Sequence, residues 1–320
     1  MNTYLKTGLL SVLCAVGTSF RTLAWGPEGH EIIAELALYY VTPTARMAID
    51  EILGDYKLGE FDIASWPDII RGNKEYTELY PQNGRWHYID LDVGQRYDEN
   101  FQLDVSEDGN DIVCQIYRWR DGLASDGLKG ERRLDALRFL VHFVGDIHQP
   151  LHCAYRYGDM GGNMLPVNSF QGRHFSFDAD SPQDYPPSLH SIWDSSMVNE
   201  AMDAKKVFTY VKKLQKEITP EDITRWNHDD VLKWATENYW ISRKEIYRWT
   251  DGERVPFTWR RPGMDITPEN YIDSHLSIVH QQMKKGGIRL AHMLNTAFDP
   301  DYEYVRVEMP RPSPKAETEE

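Results

Sequence analysis

Residues 134–144 form a largely apolar run with no helix breaker before Gly145, and that run leads into the string HFVGDIHQPLH at 142–152. The run predicts a helix, whose continuation Pro150 limits. On such a helix His142 and Asp146, four positions apart, share one face. His152 comes six residues after Asp146 and beyond Pro150, where the chain can turn back toward that face.

Helical patterns dominate the rest of the chain. Residues 30–40 carry Ile32, Ile33, Leu36 and Tyr40 as a helical stripe. Thr42-Pro43 then restarts a helix with an N-cap and a first-turn proline, running to a stop at Gly54. Residues 204–218, 229–247 and 271–298 also read as helices, and Ile288, Leu290, Ala291 and Leu294 form a core stripe in the last of them. No alternating run is long enough to predict a sheet of any size. Residues 158–187 read as a long loop with a short hairpin around His174-Phe175-Ser176, and residues 249–268 as an insertion between two helices. Arg254, Arg260 and Arg261 in that insertion read as a solvated loop in preference to a small anionic-ligand patch. The expected fold class is all-α, a single helical domain over residues 25–300. A C-terminal tail follows at 301–320, disordered at least over its Pro- and acid-rich end at 309–320.

Residues 1–24 read as a secretory signal peptide: Lys6 supplies positive charge, a short apolar stretch follows, and Thr22-Leu23-Ala24 suits a cleavage site. The apolar stretch falls short of the roughly 20 residues that span a bilayer. Arg21 lies close to the cut, so an uncleaved anchor or a cut shifted by a residue or two is the alternative. Cleavage before Trp25 would remove Lys6 and Arg21 and no acids, taking the formal charge from −15 to −17. Such a surface repels a duplex phosphate backbone, so phosphate would have to be held by local positive charge such as bound metal ions. Cleavage would leave Cys114 and Cys153, either as one disulfide or as separate small residues. The expected destination is secreted or periplasmic, with no membrane span in the mature form.

The titratable residues recur in ordered clusters. After Trp25-Gly26 with His30 come Trp66-Pro67-Asp68 with Arg71, then Trp86-His87-Tyr88-Ile89-Asp90, then the 142–152 string, then His190 and Asp194. One His-x3-Asp pair on a helix is ordinarily a structural hydrogen bond. Five histidines and three carboxylates exceed the needs of one tetrahedral ion and fit two or three ions sharing a bridging carboxylate. Imidazole nitrogen and carboxylate oxygen suit Zn²⁺, and no thiolate cluster competes. Close metal pairs suit phosphoryl chemistry, because they polarise oxygens and clamp both attacking and leaving groups. His148 reads as a neighbour of the ligands or a surface residue. His174, His228, His275, His280 and His292 show no ligand pattern.

The ordered set resembles the S1/P1 nuclease family of trinuclear zinc enzymes, which share a fold with zinc-dependent phospholipase C. The resemblance rests on WGPEGH at 25–30, SWPDIIR at 65–71, WHYID at 86–90, HFVGDIHQPLH, GDMGGN at 158–163 and LHSIWD at 189–194. It implies that Trp25 (amine and carbonyl), His30 and Asp146 hold one zinc. Asp68, His87, His142 and a bridging Asp146 would hold a second, and His152, His190 and Asp194 a third, more open one. It further implies catalytic roles for Asp68 and Arg71, the latter near the scissile phosphate, and a substrate site of Tyr88, Asp90, Asp159 and Asn163. Two features depart from the family pattern: Met160 replaces a basic residue before Gly-Gly-Asn, and the stretch from His152 to His190 is longer than in the fungal members.

The activity implied is hydrolysis of single-stranded DNA or RNA to 5′-phosphate products, with 3′-nucleotidase activity on nucleotides. A zinc-dependent phospholipase C is the enzymatic alternative. Asp194 where that relative has Glu, and Asn163 as a base-recognising group, favour the nuclease. A non-catalytic zinc-binding exported protein is the other alternative, and it would need none of Arg71, Asp90 and Asn163.

Overall fold

The computed structural model describes residues 25–94, 105–106, 108–170, 173–174, 187–228, 230–248, 264–266 and 271–304. Helix α1 (Pro27–Ala37) starts with a first-turn proline, where the missing N–H leaves no bond unmade. The Thr42 side chain caps α2 (Pro43–Leu53) by accepting from Ala45 N, and the helix ends at Gly54. Short helices α3 (Phe61–Ala64), α4 (Trp66–Ile69) and α5 (Lys74–Leu79) follow. Helix α6 (Ile112–Ala124), capped by Asp111, is not among the helices the periodicity predicts. Helix α7 (Glu131–Asp146) passes through Gly145, and every residue from Leu134 to Asp146 is buried. A helix buried all round belongs at the centre of the molecule.

The second half is helical too. Helix α8 (Leu189–Ser191) opens with a Ser188 capping box and runs through a π turn, Ile192–Ser196, into α9 (Met197–Met202). Asp203 and Ala204 have left-handed φ values of 52° and 54°, which delays α10 (Val207–Glu217) relative to its predicted start. Helices α11 (Pro220–Trp226) and α12 (Val231–Ile241) precede a second π turn, Ser242–Ile246. The long α13 (Asp273–Phe298) completes the set.

Helix α13 packs against α1, α2, α6, α7 and α9. Gly286 and Gly287 let α1 approach closely: a Cβ on Gly286 would lie 2.9 Å from Ile33 Cδ1, and one on Gly287 2.7 Å from the Leu36 side chain. The predicted stripe of Ile288, Leu290, Ala291 and Leu294 is buried. Burying an aliphatic side chain of the size of Leu or Ile gains about 1.5–3 kcal/mol. Arg289 on the same helix is wholly buried. It donates to Glu237 Oε2 (2.8 Å) and to His148 Nε2 (3.1 Å), tying α12 and the end of α7 to the core. Tyr302 and Tyr304 pack on His292 beyond the end of α13.

A small three-stranded sheet, ordered β2-β1-β3, joins the helices, and Val167 and Phe170 of its central strand are buried in the hydrophobic core. Strand β1 (Val167–Phe170) pairs antiparallel with β2 (Arg173–His174) and parallel with β3 (Met264–Ile266). The hairpin therefore sits ahead of its predicted place, with Ser169 opposite His174. Phe175 and Ser176 lie outside the described residues, as do Arg254, Arg260, Arg261 and residues 305–320. Strands of two to four residues leave the fold all-α. Cys114 and Cys153 are buried and free, so the disulfide does not form. No described helix is long and apolar enough to cross a membrane.

Candidate metal centre

Helix α7 supplies the middle of the site. The Asp146 carboxylate faces two ways: Oδ2 is 2.8 Å from His87 Nδ1 and 3.3 Å from His142 Nε2, while Oδ1 is 3.2 Å from His30 Nε2. Asp68, on α4, brings Oδ1 to 3.7 Å from His87 Nδ1 and Oδ2 to 3.6 Å from His142 Nε2. Arg71, one turn further along, donates from Nη1 to Asp68 Oδ1 at 3.0 Å and keeps 31% of its side chain exposed. It stands at the rim with one end on the cluster.

Gly145 does not stop α7 because the missing side chain is where His30 fits. A Cβ there would lie 2.5 Å from His30 Nδ1 and 2.8 Å from Cε1. The His30 ring stacks on His142 at 4.0 Å between centroids and 15° between planes. Just before it, Trp25 is wholly buried, and Gly26 N donates to the carbonyl of Asp194 at 2.6 Å. Asp194 lies in the π turn after α8, a kind of bulge frequent at functional sites.

The third group forms where the chain turns back after Pro150. The Gln149 side chain caps the 3₁₀ turn Pro150–Cys153 by accepting from Leu151 N, and its Nε2 donates to Asp194 Oδ1 at 2.6 Å. His152 and His190 bring their Nε2 atoms to 3.1 Å from one another. His190 Nε2 is 3.6 Å from Asp194 Oδ2. Three histidines are held by the opposite nitrogen on backbone carbonyls: His142 Nδ1 on Ala64, His152 Nδ1 on His87 and His190 Nδ1 on Gly161. Fixing Nδ1–H in this way leaves the Nε2 lone pair as the ligand.

The side chains fit cations. Among the described residues, three His/Asp groups each gather their ligand atoms within 4.8 Å: His30, His142 and Asp146; Asp68, His87 and His142; His152, His190 and Asp194. Asp68 Oδ2, Asp146 Oδ1, Asp194 Oδ2 and both His30 nitrogens are buried without a hydrogen-bond partner. A buried polar atom left so costs about 1–3 kcal/mol, more when charged. The three carboxylate oxygens and His30 Nε2 lie in the three groups, where metal ions would satisfy them, while His30 Nδ1 faces Gly145.

Charge and protonation agree with that fit. Burial, with His142 beside it, lowers His30 to about 4, and burial with His152 lowers His190 to about 3. Both imidazoles are therefore neutral and able to donate a lone pair to a metal. Burial would raise Asp146, but His142 beside it holds it well below the usual carboxylate range. Asp194 goes the other way, raised well above that range by burial and the nearby carboxylates against the Gln149 hydrogen bond. Both cysteines are free, and Cys153 turns its Sγ to the Ile147 carbonyl, so the donor set is N and O.

Around the rim the predicted substrate residues separate. Tyr88 is 37% exposed and Asp90 is exposed. Asn163 is partly buried and donates from Nδ2 to Met160 O. Asp159 lies beneath the loop: its carboxylate accepts from Arg156 N and from Tyr247 OH, both at 2.9 Å. It holds the loop together and is not turned to the surface. His148 is buried, its Nδ1 donating to Val144 O, so the surface alternative does not apply. Sequence reasoning missed Asn83, Gln149 and Gly145. Of these, Gln149 and Gly145 stand inside the 142–152 string, and Asn83 has no sequence signal beyond its place four residues before His87. A cavity of about 260 Å³, lined in part by Arg71, Tyr76, Tyr80 and Asn83, adjoins the site.

A family model described as S1/P1 nuclease matches residues 25–299. Endonuclease 2 of Arabidopsis thaliana is 30% identical over 288 residues, covering 86% of this chain and 90% of its own. Nuclease PA3 of a Penicillium species is 30% identical, covering 85% and 97%. Nuclease P1 of Penicillium citrinum is 29% identical, again covering 85% and 97%.

Proposed function

The chain belongs to the S1/P1 nuclease family, and from that premise we propose an exported, zinc-dependent enzyme that cleaves single-stranded DNA or RNA to 5′-phosphate products. The same site would remove phosphate from 3′-nucleotides. The observation that carries the reading is the set of partnerless buried atoms of Asp68, Asp146, Asp194 and His30 inside three His/Asp groups. Trp25, through its amine and carbonyl, would hold one zinc with His30 and Asp146. Asp68, His87, His142 and the other oxygen of Asp146 would hold a second, and His152, His190 and Asp194 the third. Bound zinc would supply Lewis-acid charge that activates water near neutral pH and offsets charge on phosphoryl and departing oxygens.

The remaining work falls to the side chains. Asp68, anchored by Arg71, orients the attacking water or takes its proton. The Arg71 guanidinium pairs with a non-bridging phosphate oxygen. Tyr88 offers a ring face to an unstacked base, a contact worth about 1–3 kcal/mol; a base held in a duplex would have to leave its stack first. Asp90 and Asn163 offer hydrogen bonds to the base edge, and Asp159 supports the loop that carries Asn163. With a formal charge of −15, the chain gains little from long-range attraction to a duplex, so local contacts decide binding.

Product analysis tests this reading. Purified mature protein is given single-stranded DNA, RNA, a 3′-nucleotide and phosphatidylcholine, with and without a chelator. Chelator-sensitive release of 5′-phosphate products is expected. Cleavage that survives the chelator, or lipid as the sole substrate, would overturn it.

A further inference from the structure

Asn83 is a buried side chain with both ends of its amide engaged. Its Nδ2 donates to the carbonyl of Pro67 at 2.7 Å, and its Oδ1 lies 3.1 Å from His87 Nε2. The Pro67 carbonyl can only accept, so the NH₂ end must face it. The oxygen end is left for His87, and an oxygen that only accepts requires a proton on His87 Nε2. Nδ1 faces Asp146 Oδ2 at 2.8 Å and His142 Nε2 at 3.2 Å. With a metal ion shared among these ligand atoms in place of an Nδ1 proton, the neutral ring keeps its proton on Nε2 and offers the Nδ1 lone pair. His142, His152 and His190 are fixed in the opposite sense, through Nδ1 on backbone carbonyls.

We infer that Asn83 is a positioning residue that selects the Nε2–H tautomer of His87 and presents Nδ1 to the metal. Its second bond, to the residue preceding Asp68, holds the two ligand-bearing segments in register. This rests on the three-zinc reading, because it assigns one atom of one ligand within that cluster. A backbone carbonyl fixes a ring with no sequence cost, whereas here a single side chain does so and can be replaced.

The test is a long-range ¹H–¹⁵N correlation spectrum of the zinc-loaded, ¹⁵N-labelled protein. His87 is expected with its proton on Nε2 and zinc on Nδ1; a proton on Nδ1 overturns the inference. Two variants extend the test, with zinc affinity read by competition against a chromophoric chelator. N83L, which removes the acceptor, is expected to weaken the affected zinc site by about 10–100-fold. N83D, which keeps an acceptor, is expected to recover part of that loss. Wild-type affinity in N83L, or no recovery in N83D, would contradict the role. If N83L does not fold, the wild-type spectrum still decides. A protein that binds no zinc at all refutes the underlying reading, whereas zinc bound through His87 Nε2 refutes the inference alone.

Discussion

The missing side chain at Gly145 shows how residue-level reasoning on helix propensity can mislead. Glycine in a helix interior costs about 1 kcal/mol against alanine, so propensity alone says that Gly145→Ala should stabilise α7. The added methyl would instead lie 2.5 Å from His30 Nδ1, well inside contact distance, with the ring pinned against His142. The clash decides the outcome: G145A is expected to keep its helix content and lose one zinc per chain, as read by metal analysis beside far-UV circular dichroism. Full zinc occupancy in G145A would show that His30 can move without cost. His142, Asp146, His190 and Asp194 were legible from spacing, since a helix face follows from sequence positions. Asn83 and Gln149 were not, because their roles depend on which distant segment folds against them: Pro67 and His87 for one, Asp194 for the other.

At the scale of elements, α2 and α13 were legible because caps, stops and a 3.6-residue stripe are local signals. Helix α7 was legible as far as Asp146, but no local signal shows that a ring from α1 fills the space a side chain at Gly145 would take. Helix α6 escaped because Gln115, Arg118, Arg120 and Asp121 interrupt its apolar positions and Gly122 reads as a breaker, although Gln115 and Arg120 are buried. The sheet escaped for a different reason. Its strands are too short to alternate visibly, and β1 and β3 meet across nearly a hundred residues. The π turn carrying Asp194 also has no local signature, and the Asp194 carbonyl in it receives Gly26 N. That bond fixes the start of α1 between His30 and Asp194, which bears on maturation. A free α-amine has a pKa of about 8 and must shed its proton to bind metal. Protein carrying one extra residue before Trp25 is expected to bind one zinc fewer and to lose most of its nuclease activity. Three zincs and full activity in that extended protein would remove Trp25 from the ligand set.

Over the whole molecule, buried neutral histidines couple stability to pH. His292 is lowered to about 4 by burial and by His228, and His228 to about 4 by burial and by Arg289. Each is more protonated in the unfolded chain, with its ordinary value of 6.5, so the stability it contributes is present above about 6.5 and is lost as pH falls toward 4. His292 alone would account for a loss on the order of 3 kcal/mol; half-exposed His228 counts for less. Denaturant titrations at pH 7 and pH 4.5 should show the midpoint falling on acidification, and falling less in His292→Gln; equal falls would place the effect elsewhere. The same helical body brings five histidines and three aspartates from five separate stretches of chain to one buried centre, which is the central claim. Anomalous X-ray diffraction at the zinc edge, on crystals of the mature protein grown with zinc, tests it most directly. Three peaks are expected: one between Trp25, His30 and Asp146, one between Asp68, His87, His142 and Asp146, and one between His152, His190 and Asp194. Zinc-grown crystals with no peak at these groups would contradict it.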